Sequence, residues 1–253
     1  MDINTIVHGN CFEKLKEFST NSDVKLVLTD PPYLHNKGGG KTSGTEGKSS
    51  IANSDMYNFG SFMMTEMSSF SEEQVYEFLD EINRIMKKMN CFVFCNDTLI
   101  PYYTMWANNN KKKFTVLTWE KPLSIMNRNR FSQNLEYVVR IYDINTALNK
   151  LDIDAEPQKK DYYSKNRRLS APTNRVHPAQ KPLDYLMGII ELCTDENDLV
   201  LDPFFGSGQT GVACVKLKRN YIGIEFEEDY VKLAETQIKK ASPIESSSFF
   251  TFA

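Results

Sequence analysis

The sequence predicts an α/β protein built as a doubly wound, mostly parallel sheet. Three observations carry this expectation. Short apolar runs alternate with amphipathic helical stretches along most of the chain. One run leads through a glycine-rich turn, Gly206-Ser207-Gly208-Gln209-Thr210-Gly211, into a helix. The chain has 253 residues, 41% hydrophobic and 25% charged, enough for a single domain over 1–253 with one substantial core.

The elements follow in order. In CFEKLKEFST (11–20), Phe12, Leu15 and Phe18 recur at helical spacing. VKLVLT (24–29) is a short unbroken apolar run ending at a turn, as in a buried parallel strand. Residues 34–62, rich in Gly, Ser, Asn and Lys, are expected to form a mobile lid, because so long a loop in a compact domain is usually functional. Ser71-Glu72-Glu73-Gln74 has the form of a capping box, and Val75, Phe78, Leu79, Ile82, Ile85, Met86 and Met89 make an apolar stripe behind it. CFVFCN (91–96), FTVLTWE (114–120) and LEYVVRIY (135–142) read as strands. PLDYLMGIIELCT (182–194) reads as a helix, DLVLDP (198–203) as a strand and GQTGVACVKLK (208–218) as a helix. YIGIEF (221–226) is then the last strand, EEDYVKLAETQIKKA (227–241) the last helix, and 242–253 a loose tail.

Composition excludes several classes. No apolar run approaches the roughly 20 residues needed to span a bilayer, so no membrane role is expected. MDINTIVHGN lacks a basic stretch followed by an apolar one, which makes a cytoplasmic location the default. The five cysteines are scattered in apolar text and are expected to be buried free thiols rather than metal ligands, including Cys91 and Cys95, which share one strand face. Net charge is −3, yet residues 157–175 hold six Lys/Arg against one Asp, interleaved with Tyr162 and Tyr163. Such a run is usually a solvated loop; it is also what a groove along a phosphate backbone requires.

GGGKT and EGKSS resemble the end of a triphosphate-binding loop, but the spacing fails. G-x-x-x-x-G-K-[ST] needs glycine where His35 or Thr42 stands, and no helical pattern follows either site. Gly206 to Gly211 between strand and helix, with Glu225 about 20 residues on to meet ribose hydroxyls, points instead to an adenosine-type cofactor. Asp202-Pro203-Phe204-Phe205 stands before the first glycine. A carboxylate there suits a cation or amino group and would repel a pyrophosphate, although an NAD-type oxidoreductase stays open at this point.

Asp30-Pro31-Pro32-Tyr33 after a buried strand, with Asp202-Pro203-Phe204-x-Gly206-Ser207-Gly208 further on, resembles the amino-methyltransferases that modify exocyclic amines of DNA bases. The order, tetrapeptide first and glycines last, resembles their β group, and His177-Pro178-Ala179-Gln180-Lys181-Pro182 is similar to a third cofactor element of that group. The resemblance spans residues 9 to 236. It implies a Rossmann-like S-adenosylmethionine-dependent methyltransferase fold with permuted motif order, and a site-specific DNA methyltransferase acting on adenine N6 after base flipping. Asp30 leans toward adenine, since related cytosine-N4 enzymes more often carry Ser there; cytosine N4 is the alternative.

The implied catalytic residues are Asp30, Pro31, Pro32 and Tyr33. An exocyclic amine is a poor nucleophile because its lone pair is delocalised into the ring. Asp30 and the Pro31 carbonyl can accept its hydrogens, the prolines fix φ and leave rigid outward carbonyls, and Tyr33 can stack on the extruded base. The implied cofactor set is Asn10, Cys11, His177, Lys181, Asp202, Phe204, Gly206, Ser207, Gly208, Thr210, Glu225 and Phe226, with His177 and Lys181 reaching the carboxylate of S-adenosylmethionine. Gly9-Asn10-Cys11 stands where Gly-Asp-Cys is more usual, so the acceptor is kept and its charge is lost. Trp119, in a Trp-x-Lys segment, is read as core. Arg128 and Arg130, with Lys159, Lys160, Arg167 and Arg168, are the expected DNA contacts, and 143–176 has room only for a short target-recognition segment. The expected partner is DNA, double-stranded or alternatively single-stranded, with a homodimer implied by the resemblance alone.

Overall fold

The computed structural model describes residues 2–32, 70–120, 135–146, 148, 167–168 and 181–244. The predicted lid (34–62), Tyr33, Arg128, Arg130, Lys159, Lys160 and His177 lie outside these residues, as does the predicted recognition segment (143–176) apart from 143–146, 148 and 167–168. Strands β1 (Thr5–His8), β2 (Val24–Thr29), β3 (Asn90–Cys95), β4 (Lys113–Glu120), β5 (Leu135–Tyr142), β6 (Arg167–Arg168), β7 (Leu199–Asp202) and β8 (Asn220–Glu225) form one sheet in the order β1-β8-β7-β2-β3-β5-β4-β6. Helices α1 (Cys11–Lys16), α2 (Glu72–Ile85), α3 (Ile100–Asn109), α4 (Leu183–Cys193), α5 (Gln209–Lys216) and α6 (Glu228–Lys239) complete the described elements.

From β1 through β3 the neighbours are parallel, and β5 then runs antiparallel to both β3 and β4. The expected mostly parallel α/β sheet is present, and the antiparallel pair is the departure from simple alternation. β7, late in sequence, lies in mid-sheet beside β2. Its run LVLD is buried at Val200, Leu201 and Asp202, as a central strand covered on both faces must be.

Helices cover both faces. On one, Leu15 of α1, the Val75, Phe78, Leu79, Ile82 and Ile85 stripe of α2, and Tyr103 and Trp106 of α3 pack on Val27, Cys91, Val93, Ile141 and Leu201. On the other, Tyr185, Leu186 and Ile190 of α4, Ala213 and Cys214 of α5 and Ala234 of α6 pack on Leu26, Leu28, Phe92, Phe94 and Val200. β2 therefore alternates Val27 against Leu26 and Leu28. A register irregularity between Val24 and Leu26 turns Val24 to the Val27 side, which strict alternation would not do.

The capping box is formed as read: the Ser71 hydroxyl accepts from Gln74 N, and the Gln74 side chain accepts from Ser71 N at 3.0 Å. Met86 and Met89 are buried but lie past the end of α2, because the chain turns extended at Met86. All five cysteines are free and buried, and Trp119 is core. The predicted tail is corrected at its start: Ile244 N donates to Lys216 O at 2.9 Å and the Ile244 side chain packs on the α4–α6 core. No helix among the described residues is long and apolar enough to cross a membrane.

Candidate active site

The carboxyl ends of the parallel strands share one edge of the sheet, and Gly9 and Asn10 after β1, Glu225 ending β8, Asp202 ending β7 and Asp30 after β2 all lie along it. Because β5 is antiparallel to β3, with Tyr137 opposite Cys95, the start of β5 lies at the same edge and brings Glu136 there. From β7 the chain continues through α5 to β8, and from β2 it continues through α2 to β3 on the other side. The β7–β2 seam is therefore a topological switch point, where the diverging connections leave a crevice.

The two acidic motifs meet at this seam. Thr29 Oγ1 donates to Asp202 Oδ1 at 2.7 Å, and Phe204 N donates to the same oxygen at 3.2 Å. Thr210 is a further donor to the carboxyl, which is buried. Burial pushes the Asp202 carboxyl up to about 6, the Thr210, Thr29 and Phe204 bonds opposing it and the Asp30 charge adding to it. Asp202 is thus a buried carboxylate that shapes the turn following it.

In that turn Gly206 has φ +51°, and a Cβ there would meet nothing within 4 Å, so the turn faces open space. Gly208 opens α5 at φ +81°, and a Cβ there would lie 2.7 Å from the Ala234 Cβ; only glycine lets α6 come so close. Ser207 is buried, and Phe204 is held edge-on to Phe70 at 5.4 Å between ring centroids. Glu225 Oε2 accepts from Gly206 N at 2.7 Å and Oε1 from Glu227 N at 2.9 Å. Burial raises its carboxyl above the usual range against these bonds. Beside it Phe226 is 50% exposed, an aromatic face at the crevice rim. Gly9 N donates to Glu225 O at 2.9 Å, tying the β1 turn to this acid.

Two residues of the expected cofactor set have structural contacts of their own. Asn10 is the N-cap of α1, its side-chain oxygen accepting from Phe12 N at 2.9 Å, so that acceptor is already employed. The Cys11 side chain turns inward to the core, where burial pushes its thiol up to about 12. At the tetrapeptide, Pro31 is buried and the Pro32 carbonyl accepts from Phe70 N at 3.5 Å rather than facing freely outward.

Lys181 makes contacts that the sequence reading did not anticipate. Its ammonium is 2.6 Å from Asp30 Oδ2 and 3.4 Å from Glu136 Oε2, and it lies 5.1 Å from the centroid of the Phe94 ring. Lys181, expected from the resemblance to reach the cofactor carboxylate, is thus paired with the first residue of the tetrapeptide. Sequence reasoning missed Glu136 and Thr29, since one lies inside strand text and the other is a small polar residue ending a strand. Arg167 and Arg168 form the backbone of β6, parallel to Trp119–Glu120.

This edge offers carboxylates, backbone donors and an exposed ring, which disfavours a pyrophosphate and favours a cationic, hydroxyl-bearing ligand. Comparison with known proteins agrees. Residues 24–236 match a family model described as DNA methylase. The chain is similar to Type II methyltransferase M2.MboI of Moraxella bovis, 30% identical over 265 residues that cover 96% of this chain and 90% of the relative. Among solved structures, the M1.HpyAVI–SAM complex superposes with a TM-score of 0.60 at 25% identity, covering 92% of this chain and 98% of the other. The cytosine-N4-specific PvuII DNA methyltransferase shares the fold with a TM-score of 0.62 at 16% identity, covering 100% of this chain and 91% of the other.

Proposed function

The chain belongs to the DNA methylase family, and from that premise we propose that it transfers a methyl group from S-adenosylmethionine to the N6 amine of adenine in DNA. The observation that carries this reading is the Thr29–Asp202 bond, which locks the strand leading to Asp30 against the strand leading to the glycine turn. The amine acceptor and the cofactor cradle are thereby neighbours across one seam.

The residues present fit the cofactor. The Glu225 carboxylate accepts backbone bonds from Gly206, Phe226 and Glu227 and retains capacity for a ribose hydroxyl. The open side of Gly206 admits a ligand, and the exposed Phe226 ring can stack on adenine. When bound, S-adenosylmethionine supplies an electrophilic methyl on a sulfonium sulfur. Asp30 accepts a hydrogen of the target amine, which localises the nitrogen lone pair and holds it in line. Asp202 keeps the turn closed against β2, and Phe204, braced by Phe70, forms part of the wall between base and cradle. Most of the acceleration is then positioning, with modest polarisation by fixed acceptors.

Adenine is preferred to cytosine because Asp, rather than Ser, stands first in the tetrapeptide. Tetrapeptide first and glycines last supports the permuted, β-group assignment. A duplex substrate requires the base to be extruded, with Tyr33 as its stacking partner. Arg128, Arg130, Lys159, Lys160, Arg167 and Arg168 are the proposed phosphate and base contacts.

The test is transfer of labelled methyl to duplex DNA, followed by digestion to nucleosides. N6-methyladenine is expected; N4-methylcytosine would move the reading to the cytosine class, and absence of transfer to any DNA would sink it. Asp30→Ala should lower transfer by at least about 10²-fold while S-adenosylmethionine still binds.

A further inference from the structure

We propose that Lys181 and Glu136 form a positioning pair for Asp30, fixing the carboxylate that receives the target amine, and that Lys181 is not the ligand of the cofactor carboxylate. The inference rests on the methyltransferase reading and deepens it.

Four observations support it. Lys181 is 7% exposed on its side chain, its ammonium enclosed by Asp30, Glu136 and the Phe94 ring at the distances given above. Second, the three residues arrive from separate elements: Asp30 from the end of β2, Glu136 from the start of β5, and Lys181 from the segment leading into α4. A carboxylate gripped this way is fixed relative to the sheet rather than to its own loop. Third, the charges are packed tightly enough to act on the buried Cys95 thiol. It is pushed up to about 12 chiefly by burial, then by Asp30, Asp97 and Glu136, with Lys181 opposing. Fourth, among the described residues this ammonium already faces two carboxylates, so a cofactor carboxylate at the same point would add a further anion to that group in a poorly solvated place.

Stability alone is a weak reason for such a group, because desolvating the ions offsets much of their attraction. Orientation is the stronger reason. Asp30 must present one oxygen to an amine hydrogen, and a rotation about its side-chain bonds would lose that aim. The Lys181 ammonium at one oxygen blocks the rotation, and Glu136 stops the ammonium from swinging away.

Lys181→Met, Lys181→Gln and Glu136→Gln, each as the full chain, test the pair. Cofactor affinity is read by calorimetry with S-adenosylmethionine, and single-turnover methyl transfer to DNA is read at saturating cofactor. Lys181→Met is expected to slow transfer by on the order of 10²-fold, the scale of a misplaced catalytic group, with cofactor Kd unchanged within about 2-fold. Glu136→Gln, which keeps shape and removes charge, should slow transfer by roughly 10-fold, a partial loss of that alignment, again without changing Kd. In an Asp30→Asn background, Lys181→Gln should cost less than about 3-fold further, since residues acting through one another are not additive. A Kd weakened 10-fold or more by Lys181→Gln, with the saturated rate intact, would overturn the proposal in favour of a cofactor-carboxylate role. Full additivity with Asp30→Asn would overturn it as well. If Lys181→Met does not fold, the Gln variants carry the same comparison. Wild-type protein that transfers no methyl at all refutes the methyltransferase reading itself, a result seen before any variant is compared.

Discussion

At the scale of single residues, one acid shows how the site departs from what a chain of polar and apolar letters reveals. Asp202 is easily found in sequence, before the glycines, yet its burial beneath Thr29 and Thr210 is a tertiary fact. Because its folded value is raised from 3.8 to about 6, the folded state binds this proton more tightly than the unfolded chain. Asp202 therefore carries no penalty below about 3.8, stability is lost as pH rises from there to about 6, and the loss is complete above that. The full penalty is on the order of 3 kcal/mol. Asp202→Asn, a neutral isostere, should melt higher than wild type at pH 8, with the gap closing as pH falls toward 4. Thermal melts across that range check this, and a constant gap would contradict it. The same variant should bind S-adenosylmethionine more weakly, a trade of stability for function.

At the scale of elements, most strands and the striped helices were readable, and two elements without a clear pattern were not. α2 declared itself through its capping box and stripe, both signals written within a few residues. β1 is four residues, only partly buried, at the edge of the sheet, and it went unread. α3 also escaped: Pro101 lies in its first turn, it has no side-chain cap, and IPYYTMWANN is aromatic all round rather than striped. The glycine turn is the element where backbone geometry is tightest. Gly208→Ala would place a methyl 2.7 Å from the Ala234 Cβ, on a residue at φ +81°. It should destabilise the fold by about 1–3 kcal/mol and separate α5 from α6. Denaturant melts, with a lower midpoint and unchanged slope, measure the effect.

At the scale of the whole molecule, the seam between β7 and β2 couples cofactor binding to global stability. A ligand that binds only the folded chain stabilises it by mass action, by roughly 2.7 kcal/mol at a hundredfold excess over Kd. S-adenosylmethionine should accordingly raise the melting temperature by several degrees, while NAD, whose pyrophosphate meets Asp202 and Asp30, should leave it unchanged. A shift with NAD and none with S-adenosylmethionine would overturn the cofactor assignment. The antiparallel β5 is the other feature of this scale. FTVLTWE and LEYVVRIY were each legible as strands, but nothing local states that β5 inserts between β3 and β4. That insertion carries Glu136 to the active edge.

By itself the sequence determined the α/β class, most of the central strands, the α2 cap and stripe, and the three motifs that identify the chemistry. These are local properties: periodicity, turn residues and the spacing of a few side chains. The tertiary structure alone decided that Asn10 caps a helix, that Cys11 turns into the core, and that Lys181 grips Asp30 beside Glu136. Asp30, Glu136 and Lys181 are separated by 106 and 45 residues along the chain. Their meeting depends on strand order and direction, which no local pattern encodes, and so the pairing of charges became visible only when the sheet was assembled.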